Sequence, residues 1–432
     1  MADKNLRARE LGIPFDGTTG VANAITDVAG VMVGHAQQMK GDVNTGVTVI
    51  LTQPNDTTTN TDYPNGLADP DHPGIDSFVM AAWFTLNGCG EMTGTTWIEE
   101  SGYLEGPILL TNTVSVGSVR TAVINYSKSQ QKLPIDPDQF GLYLPVVAET
   151  YDGWLNDILG FEVDECMVTD AIKDARTYSD SKHVEEGNYG GGTGMTCYSW
   201  KGGIGTASRA HIQVYSGSPS PPPFIPIGPK DGYTVGVLVQ ANQGTYWDLV
   251  IRGVPVGTEM TPPPPAPDDP PPAGGPGPIP YAQRVVHHQR PRKSSIIVVI
   301  ATDAPLLPHQ LKRLAKRASL GIARTGTITN GDSGEIFIAF STANTDVGVD
   351  DNGNEEIAKV DMLPIDSMDP LFEATVGATE EAIINAMLGA NTLIGRAGHT
   401  AWGITDPNLP GQPVANPTLV DVMKKYNRFK TS

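Results

Sequence analysis

The stretch TNGDSGEIFIAF, Thr329–Phe340, sets Gly331 and Gly334 around Asp332 and Ser333, and a run of β-forming residues follows. A kinked turn ahead of a buried strand has two readings. It is the tip of a hairpin with an incidental serine, or it presents a serine that becomes a new N-terminus. In the second reading, cutting the Asp332–Ser333 bond frees an α-amine of ordinary pKa about 7.7–8.0 on the nucleophile itself, a base usable near neutral pH. Flanking glycines allow the backbone distortion that Ser333 needs to attack its own preceding carbonyl. Local sequence alone favours the hairpin.

Outward from this stretch, short apolar segments alternate with glycine and proline. ITDVAGVMVGHA and TGVTVILTQ read as strands, with turns at Gly30 and Gly46. GPILLTNTVSVGSVRTAVINY reads as a strand leading into a helix. YTVGVLVQANQG (Tyr233–Gly244) reads as a buried strand ending in a turn at Asn242 and Gly244, and KSSIIVVIATDAPL reads as another strand. In LLPHQLKRLAKRASLGIART, Leu311, Leu314, Ala315 and Ala318 share one helical face, and Lys312, Arg313, Lys316 and Arg317 fall largely on the other. DPLFEATVGATEEAIINAMLGAN predicts a second helix, with Asp369 at its N-cap and Pro370 at its first position. Many strands with late helices imply α and β layers.

The chain has 432 residues, is 39% hydrophobic and carries a formal charge of -19. That apolar content predicts a globular chain, and the acidic balance argues against nucleic acid or anionic lipid as a partner. No apolar run has the length of a membrane span, and the N-terminus lacks a signal-peptide core, so a soluble intracellular protein is expected. Cys89, Cys166 and Cys197 are odd in number and far apart, which is neither a disulfide framework nor a zinc set. His287–His288 is the only adjacent histidine pair and reads as a solvated surface pair rather than a metal site. Ser216–Pro229 and Thr261–Pro280 are proline-rich. They read as surface insertions, with SH3 or WW domains as conceivable partners.

The glycine-rich GNYGGGTGM (187–195) and KGGIGTASR (201–209) lack the ending of a P-loop and the context of a dinucleotide site, so glycine there serves close backbone approach or keeps a pocket open. The chain has no Gly-x-Ser-x-Gly elbow, and no histidine stands in an obvious triad context.

Taken together, LGIPFDGTTGVANAITDVAGVMVGH, TGVTVI, LPVVAETYDGWLNDI, GGGTGMTCYSWKGGIGTASR, YTVGVLVQAN, LKRLAKRASLGIARTG, NGDSGEIFIAFSTAN and PLFEATVGATEEAIINAML resemble the blocks of the L-aminopeptidase/D-amidase-esterase (DmpA-like) family, which includes the β-aminopeptidases, and they run in the same order. The resemblance covers most of the chain; only the proline-rich stretches fall outside it. It implies a single four-layer αββα sandwich over residues 1–432, of the DmpA and ornithine acetyltransferase type. It also implies a precursor that cuts itself between Asp332 and Ser333, leaving a larger chain (1–332) and a smaller one (333–432). No metal or organic cofactor is implied. Tetramers of two-chain units are.

The resemblance assigns roles residue by residue. Ser333 is the nucleophile. Asn242 donates to the oxyanion, with Tyr151 near the nucleophile. Lys201 lowers nearby pKa values or orients Asn242. Thr379 and Glu381 orient the serine and relay its proton. Residues i and i+2 point to different sides of a helix, so this pair meets one site only if the helix begins or breaks at Gly377. Glu149 binds the free amine of the substrate. The expected activity is hydrolysis of an N-terminal amide or ester through an acyl-enzyme. The alternatives are an acyltransferase of the ornithine acetyltransferase type, which normally has threonine at the nucleophile, and an inactive scaffold that recruits partners through its proline-rich segments.

Overall fold

The computed structural model describes residues 7–52, 78–129, 143–177, 183–216, 225–260, 294–344, 357–406 and 417–430. The Thr261–Pro280 stretch, His287–His288 and most of the Ser216–Pro229 stretch lie outside these residues. At the edge of the latter, Ile225–Ile227 (β11) pairs antiparallel with Val214–Ser216 (β10).

Two sheets stack. Val31–Lys40 (β1), Val43–Thr52 (β2), Ile108–Asn112 (β5) and Val146–Thr150 (β6) form one, in the order β1-β2-β5-β6. Phe78–Gly88 (β3), Tyr103–Glu105 (β4), Gly203–Ile212 (β9), Tyr233–Asn242 (β12), Ser295–Thr302 (β13) and Gly334–Ser341 (β14) form the other, in the order β4-β3-β14-β13-β12-β9. β13 and β14 run parallel at its centre and their other neighbours run antiparallel.

All eight residues of β13 are buried, as its unbroken apolar run SIIVVIAT demands of a strand covered on both faces. Ile297, Val299 and Ala301 point toward the four-stranded sheet, where they join Ile50, Leu110 and Ala148. Ile296, Val298 and Ile300 point the other way, into a core completed by two helices, Pro308–Arg324 (α3) and Asp369–Leu388 (α4). Helices Val116–Ser129 (α1) and Glu165–Thr177 (α2) cover the outer face of the four-stranded sheet through Val119, Val123, Val168 and Ile172. The layers are therefore helix, sheet, sheet, helix, the expected αββα sandwich. Each such Val, Ile or Leu contributes about 1.5–3 kcal/mol by leaving water, and the ordering of the chain opposes that gain.

α3 buries the predicted Leu311, Leu314, Ala315 and Ala318. Two local expectations shift. Gly46 is inside β2 rather than at a turn; a Cβ there would stand 2.5 Å from both Ala36 O and Gly190 O, so this glycine admits a neighbouring loop. Asp369 is the first helical residue rather than the N-cap, and Met368 takes the cap position without a side-chain bond.

Candidate active site

The parallel register aligns the starts of β13 and β14: Ser295 faces Gly334, and on the other side Ser295 faces Asn242, the last residue of β12. One end of the central sheet thus carries Asn242, Ser295 and Ser333–Gly334 on three adjacent strands. Ser333, Ser295 and Asn242 are all buried.

Ser333 does not aim at its own preceding carbonyl. Its N–H donates to Asn330 O at 2.9 Å, and its hydroxyl donates to the Glu335 carboxylate. Burial pushes the Glu335 carboxyl up to about 7, against hydrogen bonds from Ser333 and Asn87 that lower it. Its second oxygen, Oε2, is buried with no hydrogen-bond partner among the described residues. Ser295, unlike Ser333, lies against its own preceding carbonyl: its hydroxyl donates to the carbonyl oxygen of Ser294 at 2.6 Å. The Gly334 N–H points at the same place, 3.2 Å from Ser294 O and 3.2 Å from Ser295 Oγ.

Asn242 accepts from the Thr196 N–H at 2.8 Å through Oδ1, and its Nδ2 donates to Tyr151 O at 3.0 Å. These partners fix which way the amide faces and leave the second Nδ2 hydrogen for another acceptor. Tyr151 therefore meets Asn242 through its backbone. Its hydroxyl lies over Gly153, where a Cβ would be 2.5 Å away.

Glu149 sits at the end of β6. Its Oε1 accepts from the Glu91 N–H at 3.0 Å, and its Oε2 accepts from the Thr113 hydroxyl. A Cβ on Gly90 would lie 3.2 Å from Glu149 Oε1, 3.4 Å from Ile336 Cδ1 and 3.6 Å from Gly334 Cα, so the carboxylate reaches the start of β14 across a bare glycine. Lys201 is fully buried, and its Nζ donates to Gly192 O at 3.1 Å and to Met195 O and Gly202 O at 2.8 Å each. Burial brings its pKa down to about 7, opposed by the charges of Cys197 and Asp152.

Thr379 and Glu381 are the correction. α4 runs unbroken through Gly377, so neither turns toward the serine. The Thr379 hydroxyl donates to Thr375 O at 2.8 Å. Glu381 accepts from Arg9 and Asn23 and forms an ion pair with Arg209 at 2.9 Å. Arg209 pairs with Val235, which pairs with Thr302, which pairs with Ser341, at the opposite end of β14 from Ser333. Two further residues at this end carry no marker in the sequence: Ser295 heads the apolar run SIIVVIAT, and Glu335 reads only as part of a strand.

The glycine-rich segments pack on each other as expected of close backbone approach: Gly187 and Ile204 exchange bonds of 2.7 and 3.0 Å. Among the described residues, no group of three His, Cys, Asp or Glu side chains is placed to hold a metal ion, and no helix is long and apolar enough to cross a membrane.

A serine-bearing strand start inside an αββα sandwich, with an amide and backbone N–H groups beside it, defines a hydrolase of the N-terminal-nucleophile type, an aminopeptidase or amidase in its chemistry. The chain belongs to peptidase family S58, whose pattern matches residues 23–401. It is 42% identical over 98% of its length to the β-peptidyl aminopeptidase BapA of Sphingosinicella microcystinivorans, covering 93% of that protein. It is 39% identical over 93% of its length to the BapA of Sphingosinicella xenopeptidilytica, covering 90% of it. Among solved structures, the L-aminopeptidase D-Ala-esterase/amidase of Ochrobactrum anthropi, described as a variant of the Ntn hydrolase fold, superposes with a TM-score of 0.74 at 37% identity, over 98% of this chain and 99% of that one. A Burkholderia sp. β-aminopeptidase superposes with a TM-score of 0.70 at 37% identity, over 97% and 99% of the two chains.

Proposed function

We propose that the chain cuts itself between Ser294 and Ser295, not between Asp332 and Ser333, and that the freed Ser295 is the nucleophile of an aminopeptidase acting on peptides and amides with an N-terminal β-amino acid. The observation that carries this is the Ser295 hydroxyl at 2.6 Å from the carbonyl oxygen of its own preceding residue, with the Gly334 N–H on that same oxygen. Two chains result, 1–294 and 295–432. The substrate class rests on the two relatives named β-peptidyl aminopeptidases.

In the mature enzyme the Ser295 hydroxyl attacks the substrate carbonyl, and its proton passes to its own α-amine or, through Ser333, to Glu335. Asn242 Nδ2 and the Gly334 N–H hold the oxyanion. The amine leaves with a proton, and water releases the acid from the acyl-enzyme. Ser333 becomes a partner of the nucleophile rather than the nucleophile. Glu149, already oriented by Glu91 and Thr113, receives the ammonium group of the substrate. Thr379 and Glu381 have no step in this scheme. The tetramer of two-chain units stays part of the proposal and is tested by light scattering.

Denaturing gels and N-terminal sequencing test the scheme. Wild-type protein should give two bands, the smaller beginning SIIVVIATD. Ser295→Ala should give one band and no hydrolysis of β-alanyl p-nitroanilide. A smaller fragment beginning SGEIFIAF, or normal processing of Ser295→Ala, overturns it.

A further inference from the structure

The hairpin between the two glycine-rich segments is built around Asn242. Thr196–Cys197 (β7) pairs antiparallel with Trp200–Lys201 (β8), and the turn residues Tyr198 and Ser199 both have positive φ, 51° and 63°. That is the backbone of a tight hairpin turn, which glycine or asparagine ordinarily supplies. Here two bulkier residues hold it, because each is tied down. The Tyr198 N–H donates to Gln243 O at 2.7 Å, its hydroxyl shares a hydrogen with Thr325 at 2.6 Å, and Ser199 Oγ accepts from the Tyr246 N–H at 3.3 Å. The hairpin therefore grips the chain just after Asn242.

One peptide unit of this hairpin has both ends engaged. Its carbonyl, Met195 O, accepts from Lys201 Nζ at 2.8 Å and from the Gly202 N–H at 3.0 Å. Its N–H, that of Thr196, donates to Asn242 Oδ1 at 2.8 Å. The unit is planar, so fixing the carbonyl fixes the direction of the N–H. A hydrogen-bond donor on the carbonyl also draws electron density from the amide and strengthens its N–H as a donor. The same polarisation passes through the Asn242 amide to Nδ2. The three hydrogens of the Lys201 ammonium match its three carbonyl acceptors, and no carboxylate shares them.

We propose that Lys201 is a positioning residue for the hydrolytic step: through the Met195–Thr196 peptide it aims and polarises the Asn242 amide that receives the oxyanion. This rests on the reading of Asn242 as an oxyanion donor, and the experiment separates the two.

The test is a double-mutant cycle on processed enzyme, with self-cleavage followed alongside kcat and KM. Asn242→Ala should lower kcat about 100-fold, and Lys201→Met about tenfold with KM changed less than about threefold. The double variant should be no slower than Asn242→Ala alone, because Lys201 acts only through that amide. Multiplying losses, or an unchanged kcat in Lys201→Met, overturn the role of Lys201 while Asn242 keeps its own. An unchanged kcat in Asn242→Ala overturns both. If Lys201→Met does not fold, Thr196→Pro asks the same question. Thr196 opens β7, where proline is tolerated, and the variant deletes the N–H that Asn242 accepts from. It should reproduce the kcat loss and the same lack of additivity; full activity in Thr196→Pro also overturns the proposal.

Discussion

A carboxyl held at about 7, as Glu335 is by burial, titrates in the same range as the α-amine of an N-terminal serine. Whichever of the two takes the proton must be unprotonated, so kcat/KM should rise with pH through about 7–8. Glu335→Gln should remove the Glu335 part of that rise and most of the activity. The same shift has a stability consequence. The folded-state pKa lies above that of the unfolded chain, so the contribution of the protonated acid is complete below the unfolded value and is lost as pH rises through about 7. Glu335→Gln should therefore raise the melting temperature relative to wild type at pH 8, and the gain should vanish near pH 4. An equal gain at both pH values in thermal unfolding would contradict the assignment. At this scale the sequence points to Ser333, whereas the nucleophile proposed above is Ser295, on the neighbouring strand. Ser333 stands out because glycines surround it. Ser295 does not, because a serine opening an apolar strand looks like any strand residue until the strand beside it is known. Hydrogen-bond direction between two serines on parallel strands is a tertiary fact with no local signature.

Elements were more legible than residues, since periodicity reports burial directly. The helical face of α3 and the buried strand β13 followed from spacing alone. What spacing did not show is how closely elements pack. α3 crosses α4 at Gly321, where a Cβ would stand 2.5 Å from Thr379 Cβ and 2.8 Å from Val376 O. The Val376 oxygen belongs to helix backbone and cannot swing aside. Gly321→Val should therefore push the helices apart and cost about 1–3 kcal/mol by overpacking, read as a lower urea midpoint at unchanged slope. The processed variant should keep its KM, because the crossing lies in the outer layer. This contact also accounts for Thr379. A threonine facing the partner helix, with its hydroxyl turned back onto Thr375 O, serves packing between helices.

Across the whole molecule, the two ends of the central sheet do different work. One end gathers Asn242, Ser295, Ser333 and Glu335. The other gathers a buried ion network that ties the N-terminal segment to β9 and α4. There Glu381 pairs with Arg209 and with Arg9, both at 2.9 Å, and Arg7 pairs with Glu186 at 2.7 Å. The sequence could not separate these ends, because a motif records which residues recur together in order and not which end of a strand they occupy. Glu381 decides between the two accounts. As a packing charge, its replacement leaves the buried Arg209 guanidinium without its counter-ion, and such a loss costs about 3–5 kcal/mol. Glu381→Gln should therefore lower the melting temperature markedly and loosen residues 7–16, seen as faster amide exchange there. The protein that stays folded should process itself and turn over substrate at the wild-type kcat. As a proton relay, the same variant would instead keep its stability and lose kcat. The network lies at the Ser341 end of β14, away from the groups proposed to act on the substrate carbonyl, and that placement favours the first outcome.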